Sequence, residues 1–447
     1  MNVSDGERLA NLLESHGCTR ATKEKDADII VVVSCSIRQK AMDKLFGKLP
    51  TWRKWRQQRG VRTVLTGCVL PSDRRKLKKE FDIFIEMKDI ADLPSLLKLT
   101  PSDADQGEVT NADYLALKPD YKSKIQAYIP IMTGCNNYCT FCVVPYTRGQ
   151  ESSRSSSEII SEVKKLISKG YSEIILLGQN VNAYIDPDKY HDQDTIYSRS
   201  RYFWEFKKDQ PIQWRMATTK VPKDFAMLLK KINRIPGKFW VRFLTSNPQD
   251  VSDELIDTLD KCHKLTKYFH LPIQAGDDEI LRRMNRRHTR DYYLKLIKKI
   301  RKARPGTAIT TDIIVGFPGE TKKQFEETAK VMREVKYDMA YIAEYSPRPG
   351  TSAQRFFKDD VSRQEKIRRR KILNNILAET ALANNKKLVG QTITMLVDKY
   401  NHETKNNSGK TGTNKTVHFK GKNFVGKFTN VKINHVSAWG LAGELSK

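Results

Sequence analysis

Residues 135–142 read Cys135-Asn136-Asn137-Tyr138-Cys139-Thr140-Phe141-Cys142, a CxxxCxxC run. It directly follows Ala127–Met132, the first of six apolar stretches of strand length. Three thiolates so close in sequence can wrap one corner of a cubane iron–sulfur cluster and leave one iron open. Zinc usually takes a fourth Cys or His nearby, and a simple ferredoxin supplies a fourth cysteine. Neither closely follows Cys142. An open iron can bind the amino and carboxylate groups of S-adenosylmethionine (SAM) and pass an electron into its sulfonium. Homolysis then gives a 5′-deoxyadenosyl radical. That chemistry belongs to the cofactor, while the protein positions and shields it.

Outward from this loop the pattern is regular. The later strand-like runs are Glu173–Leu177, Trp240–Leu244, Tyr268–Leu271, Ala308–Val315 and Met339–Glu344. Helical periods separate them: Ser157–Lys169, Lys223–Ile235, Ser252–Cys262, Arg290–Ala303 and Lys322–Lys336. Six βα repeats imply parallel strands joined by right-handed crossovers. Six rather than eight predicts an open partial barrel. Residues 185–222, rich in Tyr, Trp, Asp, Lys and Arg without a clear period, interrupt the alternation as an insertion.

Residues 1–100 form a smaller α/β pattern. Leu9, Leu12 and Leu13 share a helix face, and strands are predicted at Asp28–Val33, Val61–Thr66 and Ile83–Ile85. Residues 101–122 are polar and irregular, a linker signal. A long charged helix is expected over Arg363–Lys387. Beyond Gly390, Thr392–Val397, Thr416–Phe419, Phe424–Phe428 and Val431–Val436 read as short strands of a small, OB-like β-barrel.

The chain carries 80 Lys+Arg against 52 Asp+Glu, a net charge of +28. Such an excess is the footprint of a polyanion partner, nucleic acid first and an anionic membrane surface second, though a solvated basic surface also fits. The longest apolar runs, such as 29–33, fall far short of the roughly 20 residues of a membrane helix. The start has no basic segment followed by an apolar one, so a signal peptide is not expected. Seven cysteines, an odd number with three clustered, do not suit a disulfide framework. They point to metal ligation in a reducing, cytoplasmic setting.

Two further cysteines, Cys35 and Cys68, each come after a predicted strand and before a helix, so both belong on the carboxyl edge of a parallel sheet. Helix N-termini there favour thiolates. Spacing alone fits buried structural thiols equally well. Cys18 and Cys262 read as structural thiols.

The segment 134–149, ending Val143-Val144-Pro145-Tyr146-Thr147-Arg148-Gly149, resembles the methylthiotransferase branch of the radical SAM family, in particular its MiaB-type tRNA-modifying members. Leu177-Gly178-Gln179-Asn180-Val181, Leu244-Thr245-Ser246-Asn247-Pro248, His270-Leu271-Pro272-Ile273-Gln274-Ala275-Gly276, Met284-Asn285-Arg286-Arg287 and Asp312-Ile313-Ile314-Val315-Gly316-Phe317-Pro318-Gly319-Glu320-Thr321 extend the resemblance over nearly the whole chain except 185–222.

The resemblance implies an α/β protein with a methylthiotransferase amino-terminal domain (1–110), a radical SAM core (121–360), a connecting helix (361–389) and a carboxy-terminal TRAM barrel (390–447). It implies two 4Fe-4S clusters. Cys135, Cys139 and Cys142 hold the SAM-cleaving one. Cys35, in Ser34-Cys35-Ser36-Ile37-Arg38, and Cys68, in Thr66-Gly67-Cys68, hold an auxiliary one that carries or donates sulfur. The family's first auxiliary cysteine falls just before Met1-Asn2, so either the natural start lies upstream or this protein has two such ligands. Gly178, Gln179, Asn180, Ser246 and Gln274 stand at strand ends where related enzymes bind SAM, although Ser246 and Gln274 alone also fit polar loop residues. Phe141 packs near the adenine or merely covers the cluster.

The implied substrate is the tRNA anticodon stem-loop bearing N(6)-isopentenyladenosine, methylthiolated at carbon 2. Lys399, Lys405, Lys410, Lys415, Lys420, Lys422 and Lys427 make the barrel basic, suited to phosphate. A flavodoxin- or ferredoxin-like electron donor, no membrane and a monomer are expected. The alternatives are a methylthiotransferase for threonylcarbamoyladenosine or a ribosomal protein, and an iron–sulfur tRNA-binding protein without the activity.

Overall fold

The computed structural model describes residues 1–35, 39–99, 114–189 and 223–446. Most of the insertion, most of the linker, and residues 36–38 lie outside them. The chain forms two compact units. One comprises Met1–Lys122, Tyr128–Ser152 and Pro347–Phe356; the other comprises Ser123–Ala127, Ser153–Ser346 and Phe357–Lys447.

The first unit is built on a parallel sheet in the order Ile29–Cys35, Arg62–Cys68, Ile83–Phe84. Alternate side chains of a strand face opposite ways, so each face has its own core. Leu65 packs with Met42, Leu45, Leu49 and Trp52 of the helix Gln39–Arg59. Its neighbour Val64 packs on the other face with Leu9 of the helix Asn2–Glu14 and with Ile90 and Leu93. Each fully buried Leu contributes about 1.5–3 kcal/mol.

The sequence placed the ends of the first two strands at Val33 and Thr66. Both strands run two residues further, to Cys35 and Cys68, which therefore end the strands instead of following them. The parallel ladder continues through Ser34↔Gly67 and Cys35↔Cys68. Gly67 makes this possible. Its φ is +97°, and a Cβ there would lie 2.4 Å from the Ser34 carbonyl oxygen, so no larger residue fits.

In the second unit, Glu173–Leu177 pairs in parallel with Trp240–Phe243, and Ala308–Val315 lies between Tyr268–His270 and Met339–Glu344. The intervening helices are Ser156–Ser168, Asp224–Asn233, Asp253–Lys261, Arg290–Ala303 and Lys322–Val335. Their polar flanking residues explain several starts. Ser155, Ser252, Thr289 and Thr321 each accept a hydrogen bond from the backbone N–H three residues on. Such caps are worth about 1 kcal/mol each. Phe243 sits edge-on between Phe225 and Phe269, with ring centroids 5.2 Å from each.

The long helix Arg363–Lys386 leads into a closed barrel in the order Thr392–Asn401, Asn406–Thr411, Thr416–Lys420, Leu441–Leu445, Phe428–Val436. Met395, Val397, Val417, Phe419, Val431 and Ile433 fill it. Phe424–Phe428, expected as a strand, is instead a turn up to Lys427, with Phe428 opening the next strand. Asn406–Thr411 and Leu441–Leu445 are strands that the sequence pattern did not mark. The barrel is fixed to the βα core by polar and aromatic contacts. Arg242, 3% exposed, pairs with Glu173, 2% exposed, and also donates to the Thr411 carbonyl. Trp240 meets Phe428 edge-on at 4.9 Å. Among the described residues no helix is long and apolar enough to cross a membrane.

Candidate active site

The cysteine loop lies wholly in the first unit. Gly134 (φ +78°) starts it, and a Cβ at that position would lie 1.9 Å from the Gln150 carbonyl oxygen. The loop is thus pressed against the segment that follows the helix Val144–Arg148. Cys135 N–H donates to the Gly149 carbonyl at 3.3 Å and Cys142 N–H to the Cys139 carbonyl at 2.9 Å. Asn136 and Glu151 bond reciprocally, each side chain accepting the other's backbone N–H at 3.1 Å. Ala353 N–H reaches the Thr140 carbonyl at 2.7 Å. Tyr138 takes a positive φ of 45° between the first two cysteines.

The three thiols are half-buried and not joined in disulfides. Asn137 Nδ2 donates to Cys135 Sγ and Val144 N–H to Cys142 Sγ, each at 3.5 Å. Burial, then Glu151 and the other two thiols, pushes the Cys135 thiol well above its ordinary value. Three neighbouring cysteines, two of them already supplied with N–H donors, fit a soft iron–sulfur group that would bind them as thiolates. Among the described residues no three His, Cys, Asp or Glu side chains close around a single ion. A cubane, with its irons at separate corners, asks for a wider spacing. Phe141 is half-buried in the same loop.

Cys68, 3% exposed, belongs to the same unit. Its sulfur accepts from Arg148 Nε at 3.1 Å. Arg148 also pairs with Asp5, which accepts from the Tyr114 hydroxyl. Sequence reasoning assigned no role to Asp5 or Tyr114, which carry no local signal, and quoted Arg148 only within the segment that carries the family resemblance.

In the second unit the predicted rim residues gather where strands end. Gly178 O accepts from Thr245 Oγ1 at 2.5 Å, and Thr245 O accepts from Val181 N–H. Thr245 has φ 68°, a strained conformation for a β-branched residue, costing about 1–3 kcal/mol. Asn182 and Asn247 bond reciprocally at 2.9 Å. Arg286 joins Asn247 Oδ1 to the Pro272 carbonyl. Asn180 Nδ2 donates to Asp250 at 2.7 Å. Burial raises the Asp250 carboxyl, against the pull of Asn180 and of Arg287 and Arg286. Gln274, with φ 75°, ties its backbone N–H to the Asp312 carbonyl and its own carbonyl to Ile314 N–H. Gln179 Oε1, Asn180 Oδ1 and Ser246 Oγ are buried without a hydrogen-bond partner among the described residues. Orphaned polar atoms of this kind fit a polar ligand such as SAM. Asp250 was missed because a lone Asp after Asn-Pro carries no signal of its own.

The barrel's charge is less uniform than the sequence suggested. Lys399, Lys405, Lys420, Lys422 and Lys427 are exposed. Lys415 is instead ion-paired with Asp338 at 2.6 Å, with both side chains mostly buried. Lys410 is half-buried and donates to Thr416 Oγ1.

Comparison with known proteins identifies the class. Residues 129–332 match the Radical SAM superfamily, residues 1–86 the Uncharacterized protein family UPF0004, and residues 386–446 the TRAM domain. A solved radical SAM methyltransferase from Kitasatospora setae, TsrM, shares the fold with a TM-score of 0.50 at 12% identity, over 77% of this chain and 66% of that one. The fold and thiol loop are those of a radical SAM enzyme.

Among curated relatives, a tRNA-2-methylthio-N(6)-dimethylallyladenosine synthase of Clostridium botulinum (strain Hall) is 37% identical over 99% of this chain and 94% of its own. Those of Clostridium novyi (strain NT) and Thermoanaerobacter sp. (strain X514) are 35% and 36% identical over 100% of this chain, and over 94% and 90% of their own. The chain belongs to this methylthiotransferase family, as the sequence resemblance implied.

Proposed function

We propose that the protein replaces the hydrogen on carbon 2 of N(6)-isopentenyladenosine, next to the anticodon of tRNA, with a methylthio group. One observation carries the reading: a three-thiol loop of the SAM-cleaving type occurs in a chain that also sets Cys35 and Cys68 in register on neighbouring strands. Cys135, Cys139 and Cys142 hold a 4Fe-4S cluster, and Cys35 and Cys68 contribute to an auxiliary one. When bound, cluster and SAM supply a radical able to take hydrogen from a ring carbon that has no useful acidity near neutral pH.

The chain's own residues bind and orient. Gln179 Oε1 and Asn180 Oδ1 are acceptors suited to the SAM ammonium, and Ser246 Oγ can accept or donate. Gly178 and Gln274 shape the rim through their backbones, and Phe141 covers the cofactor. Asp250 holds Asn180 in orientation. The exposed barrel lysines engage tRNA phosphates, a salt-sensitive attraction with little sequence reading. A small flavodoxin- or ferredoxin-like protein supplies electrons, and the enzyme works as a cytoplasmic monomer.

The test is nucleoside mass spectrometry of tRNA from a strain lacking the gene. The methylthio form of isopentenyladenosine should vanish. It should return with the wild-type gene and stay absent with Cys135→Ala/Cys139→Ala/Cys142→Ala. Unchanged methylthio-nucleosides in the deletion strain would overturn the proposal.

A further inference from the structure

Arg148 has no part in the roles assigned above, yet it is among the most thoroughly enclosed cations of the first unit. It ends the helix Val144–Arg148, which opens two residues after Cys142. Its side chain is 2% exposed, and its partner Asp5 is 0% exposed. Burying a guanidinium costs several kcal/mol unless its donors are met. Here they are met on two sides. Nη2 and Nη1 reach the two carboxylate oxygens of Asp5 at 2.5 and 3.5 Å, and Nε donates to Cys68 Sγ at 3.1 Å. Asp5 is itself held by the Tyr114 hydroxyl. A planar guanidinium fixed at its Nη end has little freedom left at Nε. The Nε–H direction toward the Cys68 sulfur is therefore set by Asp5 and Tyr114.

We propose that Arg148 is a positioning residue for the Cys68 corner of the auxiliary cluster, orienting that sulfur and raising the cluster's reduction potential through the Nε–H···S bond. The inference rests on Cys68 being a cluster ligand, as read above. N–H donors to ligand sulfur favour the more negatively charged, reduced state and are a principal lever on cluster potential. Because Asp5 balances the guanidinium charge, the directed N–H dipole carries the effect. A lysine, a point charge without the planar fork, keeps the ion pair with Asp5 but cannot place a second donor on the sulfur in the same way.

The test uses the full chain carrying Cys135→Ala/Cys139→Ala/Cys142→Ala, reconstituted anaerobically, so that the auxiliary cluster alone contributes. Iron content, the paramagnetic resonance spectrum and the midpoint of a redox titration are measured for this protein and with Arg148→Lys, Arg148→Met or Cys68→Ala added. Arg148→Lys and Arg148→Met should both move the midpoint to lower potential and alter the spectrum. If Arg148→Met fails to fold, because buried Asp5 is left without a counter-charge, Arg148→Lys decides. Midpoints and spectra identical to the parent's would overturn the inference, provided Cys68→Ala loses iron. If Cys68→Ala retains all its iron, the reading of Cys68 as a ligand fails and the inference falls with it.

Discussion

Cys35 and Cys68 are register partners at the ends of adjacent parallel strands. Neighbouring strands lie about 4.8 Å apart, so two cysteines that are distant in the chain share one sheet edge. This is the arrangement the proposed auxiliary cluster would use. The relationship leads to the first prediction. If both proposed clusters assemble, Cys35→Ala or Cys68→Ala should lower iron from about eight to about four per reconstituted chain. SAM cleavage to 5′-deoxyadenosine should continue while methylthiolation of tRNA is lost. Iron and sulfide analysis with chromatography of the SAM products checks both halves.

Asp250 anchors Asn180. Asp250→Ala should weaken SAM binding about tenfold, the scale of one hydrogen bond to a charged group. It should also lower stability by about 1–3 kcal/mol, because buried Asn180 and the neighbouring arginines lose a partner. Equilibrium binding of SAM to the reconstituted protein, with thermal denaturation alongside, measures each effect. An unchanged Kd would remove Asn180 from the SAM site.

The exposed and paired barrel lysines should behave differently. Lys420→Ala/Lys422→Ala should weaken tRNA binding and make the dependence of log K on log salt shallower by roughly one to two. Lys415→Ala, which breaks the pair with Asp338, should leave that slope unchanged. Filter binding over a range of salt concentrations distinguishes the two variants.

Glu365 sits in the first turn of the helix Arg363–Lys386, bonded to Arg368 and Arg369. The bonds from Arg368, and then Arg369, outweigh burial and draw its carboxyl down to about 2. A depressed carboxyl stabilises the fold fully above its unfolded value, about 4.3, and progressively less as pH falls toward the folded value. Glu365→Gln should therefore be less stable than the wild type near neutral pH, by about 1 kcal/mol after solvent screening of a partly exposed carboxylate. The difference should close as pH falls through roughly 4 to 2. Denaturation of both proteins across that range tests the sign.

Much of the fold was legible because the βα core is strongly periodic. Glu173–Leu177, Ala308–Val315 and Met339–Glu344 are strands over the expected residues, each bounded by polar turns. Asn406–Thr411 was illegible because Asn, Ser, Gly, Lys and Thr carry no apolar alternation, and that strand is imposed by its neighbours on both sides. The strand ends at Cys35 and Cys68 were set two residues short because the ladder there rests on Gly67 lying against Ser34, a tertiary fit. The thiol loop announced itself by local spacing. Asp5, Tyr114 and Arg148 could not, since their relationship to Cys68 arises only when helix, sheet edge and loop pack together.

The most direct measurement gives purified, anaerobically reconstituted protein a reductant, SAM and one of three acceptors: tRNA carrying N(6)-isopentenyladenosine, tRNA carrying threonylcarbamoyladenosine, or ribosomal protein. Mass spectrometry then reads each product. A methylthio group in place of one hydrogen on the isopentenyladenosine, and on neither other acceptor, is the predicted result. Binding of the isopentenyladenosine tRNA without any methylthio product, or methylthiolation of another acceptor instead, would contradict it.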